Sequence, residues 1–216
     1  MNTSHGAPVT EPSPAFLHQH TPELPAVYEM RTLGTDAERD EAVALVQDRQ
    51  RWLTMRGLPV PARADVPALF RNLQAKPAGL FDDGLLLACL IPQRAPDLGW
   101  GQGPCLFLSC VHTLPDRSDD TIQLITLWAS DFAARLDLPL VRAEVLARHP
   151  LDVDPIAPFL RQLTDMGWDV RGSGTGQHEE RVARLELIAE HRPGLSALIG
   201  CRVHEPQSAA DRGNIA

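Results

Sequence analysis

The sequence predicts an α/β (α+β) fold: a mixed, mostly antiparallel central sheet that includes one parallel strand pair, with helices on both faces. Three observations carry this. The stretch 105–146 reads strand, short acidic segment, helix, strand: Cys105-Leu-Phe-Leu-Ser-Cys-Val-His112, a segment opening at Pro115, an apolar helical stripe over 121–138, and a second apolar run over 140–146. That order is a βαβ unit, whose two strands run parallel. Asp82-Asp83-Gly84 separates two apolar runs, and Asp-Gly supplies the positive φ of a hairpin turn, so these strands are antiparallel. Leu85-Leu-Leu-Ala-Cys-Leu-Ile91 has no polar alternation, which places that strand centrally, covered on both faces.

Composition bounds the rest. A chain of 216 residues, 44% apolar and 22% charged, suits one soluble domain with tails. No apolar run reaches the roughly 18 to 20 residues of a membrane span, and the first residues lack the basic start and apolar block of a signal peptide, so the expected address is cytoplasmic, with no membrane partner. The net charge of −8 disfavours a nucleic-acid partner. Cys89, Cys105, Cys110 and Cys201 show neither a Cys-x-x-Cys pair nor zinc spacing; they read as reduced core thiols, and no metal is expected.

Residues 1–26, with Pro8, Pro12, Pro14, Pro22 and Pro25 among small polar residues, read as a disordered tail in which His18 and His20 are solvated. The run 27–33 alternates as an edge strand does. Thr35-Asp-Ala-Glu38 is a capping box, starting a helix that runs to Arg56 and stops at Gly57. A second helix is expected over 66–74 with Asp65 as its cap. Strands over 78–81 and 85–91 follow, then a Gly- and Pro-punctuated loop over 92–104 that carries Trp100. The strand 105–112 returns antiparallel and brings Cys89 and Cys105 near one another. Ile122, Ile125, Ala129, Phe132 and Leu136, with Trp128 beside them, have the spacing of a buried helix face. A short helix over 156–166 ends at Gly167, a strand covers 168–171, and a last strand covers 180–190. Gly172-Ser-Gly-Thr-Gly176 imitates a phosphate-binding loop, but no helix opens behind it, so it reads as a mobile hairpin loop. The domain is expected to span 27–192, with a partly disordered extension over 193–216.

Cys110 and His112, two apart, share one strand face, and Glu144 lies on the parallel partner strand between Ala143 and Val145. A thiol, an imidazole and a carboxylate can act as nucleophile, base and orienting group. The same residues also read as a buried thiol, a strand-end histidine and an ion-paired glutamate.

The order β, α, α, β, β, β, α, β, α, β, β over 27–192 resembles the Gcn5-related N-acetyltransferase (GNAT) superfamily. Arg51-Trp52-Leu53 with Arg56-Gly57, the strand ending Val111-His112, Leu127-Trp128-Ala129 and Met166-Gly167-Trp168 resemble an actinobacterial-type branch of it. The resemblance implies a parallel strand pair that splays apart, and acyl transfer from acetyl-CoA or another acyl-CoA to an amine of a small molecule or peptide, by a monomer or homodimer. It places Val111, Thr113, Arg117, Ser118 and Thr121 near the CoA, and Arg51 and Trp52 on the acceptor side. The superfamily's Arg/Gln-x-x-Gly-x-Gly/Ala pyrophosphate loop aligns with Asp116, Asp119 and Thr121, which makes this a degenerate loop. Side chains there obstruct close backbone approach, and Asp119 and Asp120 suit the helix dipole while repelling a second anion. The tyrosine that often protonates the departing thiolate aligns with Leu163; the one tyrosine is Tyr28. Three readings follow: an acyltransferase with atypical CoA docking, a non-catalytic ligand- or partner-binding protein, or a repurposed enzyme using a carrier-protein acyl donor.

Overall fold

The computed structural model describes residues 27–61, 66–95, 98–176 and 179–203. The tail, with His18 and His20, and the Asp65 cap lie outside them. One eight-stranded sheet organises the chain: β1 (Tyr28–Thr32), β2 (Ala78–Asp82), β3 (Leu85–Ala95), β4 (Cys105–Thr113), β5 (Leu140–Leu146), β6 (Asp169–Thr175), β7 (Arg181–Ile188) and β8 (Ile199–Arg202). Their spatial order is β6-β7-β5-β4-β3-β2-β1-β8, parallel at β4–β5 and β1–β8 and antiparallel elsewhere.

Helices α1 (Asp36–Met55) and α2 (Val66–Arg71) cover one face, α3 (Ser118–Arg135) and α4 (Ala157–Asp165) the other, and α5 (Leu195–Leu198) precedes β8. Side chains of β3 alternate between the two cores: Ala88 and Leu90 join Ile125, Trp128 and Phe132 of α3, whereas Cys89 and Ile91 join Val43, Val46 and Phe70 of α1 and α2. That two-sided burial is the physical reason the run 85–91 carries no polar alternation.

The local signals explain the element ends. Thr35 Oγ1 accepts from the Glu38 amide at 3.2 Å while Glu38 Oε2 accepts from the Thr35 and Gly34 amides at 3.0 and 2.8 Å, so the capping box closes α1. Asp83 (φ +47°) and Gly84 (φ +83°) give the β2–β3 turn its two left-handed residues. Asp154, buried at 3% exposure, accepts the amides of Arg148, His149 and Ile156 at 2.7, 2.7 and 3.1 Å and shapes the approach to α4. Burial would raise its pKa, but those three amides outweigh it and hold the carboxyl below its ordinary value.

Five expectations are corrected. The second helix stops at Arg71, because the Asn72 side chain accepts from the Gln74 amide and starts a separate 3-10 turn, Leu73–Ala75. Cys89 opposes His112, and Cys105 opposes Ala95, because β3 runs on to Ala95; the two cysteines are not neighbours. Asp119 and Asp120 lie in the first turn of α3, after a 3-10 turn over Pro115–Arg117, and not in a loop. The glycine-rich segment is strand up to Thr175: a Cβ on Gly174 would sit 2.2 Å from Arg184 Cζ, so the missing side chain makes room for that arginine. The domain also continues past 192, since β8 pairs with β1 from Tyr28↔Ile199 to Arg31↔Arg202.

Candidate functional site

The cleft originates in the register of β4. It pairs with β5 from Cys105↔Leu140 to Leu108↔Ala143, and the parallel ladder ends there. On its other side, pairing to β3 jumps from Ile91↔Ser109 to Cys89↔His112, which inserts one extra residue on β4. This is a β-bulge, and it bends the strand. Cys110 sits in it at φ +53°, a left-handed backbone uncommon for any residue other than glycine. Ser109 pins the turn: its hydroxyl donates to the Ile91 carbonyl and accepts from Gln93 Nε2, both at 3.1 Å. Meanwhile β5 stays on β7 as far as Leu146↔Val182. The two parallel strands therefore diverge, each held by its outer neighbour, and backbone groups of the next β4 residues leave the β4–β5 ladder.

A cavity of about 710 Å³ opens between them, walled by residues from both faces of the sheet. Cys110 and His112 line it from β4 and Glu144 from β5. His112 is 7% exposed and meets Phe70 edge-on, ring centroids 6.3 Å apart. Burial, reinforced by the positive charge of Arg49, lowers its pKa to about 4, so the imidazole is neutral at pH 7. Glu144 Oε1 accepts the indole N–H of Trp100 at 2.9 Å. Trp100 is itself flanked by the guanidiniums of Arg142 and Arg184, 5.6 and 5.5 Å from its ring. Arg142, 1% exposed, pairs with Glu186 at 2.9 Å and donates to the carbonyls of Gly103 and Gln102 at 3.0 and 2.8 Å, clamping the loop over β5.

The third boundary is the head of α3. Thr113, Ser118 and Asp119 line the cavity there, and Thr113 Oγ1 donates to Ser118 Oγ at 3.4 Å. Val111 lines it too and packs against the core under α3. Asp119 and Asp120 occupy the first turn, and the side chain of the N-cap residue, Arg117, makes no capping hydrogen bond. Of the other expected site residues, Trp52 is on the cavity wall. Arg51 pairs with Asp48 on the exposed side of α1. Arg117 pairs with Asp82 at 3.1 Å, and Thr121 is 1% exposed within the core. None of these three is on the wall.

Two residues of the site escape the sequence reading: Arg49 on the cavity wall, and Trp100, which holds the wall residue Glu144. The sequence places Trp100 in a Gly- and Pro-punctuated loop, with nothing to link it to Glu144. Arg49 lies three residues before Trp52 on one helix face, a spacing that could have flagged it. Its guanidinium stacks 4.4 Å from the Trp52 ring and donates to Ser118 Oγ at 3.3 Å.

A bulged strand diverging from its parallel neighbour, with helices on both faces, is the architecture of an N-acetyltransferase fold of the GNAT type, and the chain has that fold. Solved structures agree. The loading GNATL domain of CurA from Lyngbya majuscula superimposes with a TM-score of 0.52 at 15% identity, covering 76% of this chain and 99% of that one. An N-acetyltransferase from Staphylococcus aureus Mu50 gives 0.51 at 10% identity with the same coverage. At such identities the likeness is one of fold. No family model matches the chain, and no curated protein matches it.

Proposed function

We propose that the protein is a GNAT-type acyltransferase, moving an acyl group from an acyl-CoA to an amine of a small molecule or peptide. The observation that carries this is the divergence of β4 from β5 after Leu108↔Ala143, which opens a slot through the sheet at the bulge. Acyl-CoA supplies the acyl group as an activated thioester. The residues present suit its arm better than its nucleotide end: Ile122, Ile125 and Trp168 give an apolar wall, whereas the head of α3 presents Asp119. Ser118 and the first amides of α3 would hold the phosphate end against those carboxylates.

In the slot, backbone N–H groups released from the β4–β5 ladder are available to a carbonyl oxygen as it gains negative charge. The attacking amine forms the C–N bond and must lose a proton as the C–S bond breaks. Glu144, on the β5 wall, and neutral His112, on the β4 wall, are the candidate acceptors. Glu144 is the one we assign, because the Trp100 indole N–H fixes its carboxylate on the β5 wall. Cys110 contributes the bent backbone and an adjacent thiol.

The aspartates of α3 support a second reading, a donor presented on a carrier-protein phosphopantetheine, which brings one phosphodiester in place of a diphosphate. Thermal shift and thiol release separate these. Acetyl-CoA at about 100 times its dissociation constant adds roughly 2.7 kcal/mol of stability. Protection by acetyl-CoA together with amine-dependent thiol release supports the CoA reading. No protection by any acyl-CoA, with thiol released from an acylated carrier protein, would replace it with the second. No release from either donor points to a binding protein.

A further inference from the structure

Among the described residues, Arg49 is the one arginine or lysine on the cavity wall. It is poorly satisfied. Among the described residues its one hydrogen bond is the 3.3 Å contact to the neutral Ser118 hydroxyl, and Nη1, out of reach of solvent, has no hydrogen-bond partner among them. Burial lowers its pKa, opposed by the charge of Asp119. A half-buried guanidinium with unmatched donors is unfavourable until an anion meets it, and a planar carboxylate fits its fork best. The residue is also pre-oriented, stacked on Trp52, which carries Arg56 at 4.8 Å as well.

The surroundings define what such an anion is attached to. Leu53, Leu58, Val66 and Leu69 make the wall on the α1–α2 side apolar, and Glu144 faces the same cavity from β5. Arg49 lies close enough to His112 for its charge to act on the imidazole, so it belongs to the wall beside the bulge. A diphosphate brought to Arg49 would meet Asp119, on the same wall, with more than one negative charge, whereas a carboxylate brings one.

We propose that the acceptor is a small amino acid with an apolar side chain: its carboxylate pairs with Arg49, its side chain lies on the leucine-rich wall, and its amine points toward Glu144. This rests on the acyl-transfer reading for the fate of the amine, but the recognition can be measured without turnover. The probes are the product N-acetyl-leucine and its uncharged counterpart N-acetyl-leucinamide, titrated calorimetrically into the full chain.

The expected result is binding of the carboxylate form about tenfold tighter than the amide, the scale of one charge-assisted pair. Arg49→Gln brings the two ligands within about twofold of each other, while Arg49→Lys, retaining charge without the fork, keeps part of the preference. Equal affinities in the unaltered protein, absence of binding by both, or a preference that survives Arg49→Gln in a variant with unchanged circular dichroism would overturn the proposal. A loss of acetyl-CoA protection in Arg49→Gln with the carboxylate preference intact would assign Arg49 to the donor and likewise overturn it. Thiol release bears on the acyl-transfer reading alone, so the two can fail separately.

Discussion

Acidification tests the burial of His112 directly. An unfolded chain protonates this imidazole near pH 6.5, whereas the folded protein holds it neutral until about pH 4. Because the folded-state pKa is the lower one, the unfolded state binds more protons between those values, and stability must fall as pH falls. The contribution is fully present above pH 6.5 and is lost as pH drops through 4. A displacement from 6.5 to about 4 corresponds to about 3 kcal/mol, a large part of the roughly 5 to 15 kcal/mol typical of a folded domain. The assay is urea unfolding at intervals from pH 7.5 to 4, for the unaltered protein and for His112→Phe, reading the difference in pH slope rather than absolute stability. The slope over that window should be shallower in the variant. An NMR titration of the His112 ring gives the same quantity without denaturant. The Arg49→Gln variant should raise that pKa only part of the way, since burial is the larger cause. A ring that titrates near 6.5, or identical pH slopes in the two proteins, would refute the reasoning.

Other perturbations reach different links. Glu38→Ala removes the side-chain half of the capping box, the carboxylate that accepts the Gly34 and Thr35 amides, together with the ion pair to Arg31, and should lower stability by about 1 to 2 kcal/mol in thermal or urea melts. Burial opposes but does not overcome the Arg31 and Thr35 contacts that hold Glu38 at a pKa of about 2. Its contribution is therefore present above pH 4.5 and lost as pH falls toward 2, a window below that of His112. Gly79→Ala places a Cβ 2.7 to 2.8 Å from Leu86, Leu33 and Phe81 side-chain atoms, and should cost about 1 to 3 kcal/mol in the same melts. Glu144→Gln should lower the turnover number by about 10² to 10⁴ with little change in acyl-CoA affinity, as measured by thiol release and calorimetry. Trp100→Phe removes the indole N–H that Glu144 accepts, and should shift the pH profile of turnover while leaving the melting curve nearly unchanged.

The elements were legible in sequence where a local signal and the hydrophobic period agree. Thr35 with Glu38, the Asp83-Gly84 turn and the unalternating run 85–91 each state their geometry within a few residues. The misses fall where tertiary contacts decide. Ile199–Arg202 is too short to show a period, and becomes a strand by adding to the free side of β1. Gly174 looks like loop material until Arg184 is seen filling its space. The bulge at Cys110 carries no glycine or asparagine to announce a left-handed residue, so the divergence of β4 and β5 could be expected only from the resemblance. Cys110, His112 and Glu144 were legible as chemically capable side chains. Arg49 and Trp100 were not, because their roles depend on Ser118 and Glu144, 69 and 44 residues away in sequence.

The carboxylates in the first turn of α3 also set how the protein should respond to ionic strength. Proteins that grip phosphates with arginine or lysine lose affinity as salt rises, because the attraction is screened. Here Asp119 and Asp120 flank the helix end, on a chain of net charge −8, so the screened interaction is a repulsion. Raising salt from about 0.01 to 1 M shortens the screening length from about 30 to 3 Å. Over that range the affinity for a polyanionic donor should hold steady or rise. A donor head carrying fewer negative charges would feel less of this effect, which makes the salt slope itself a measure of what the helix end was built to accept.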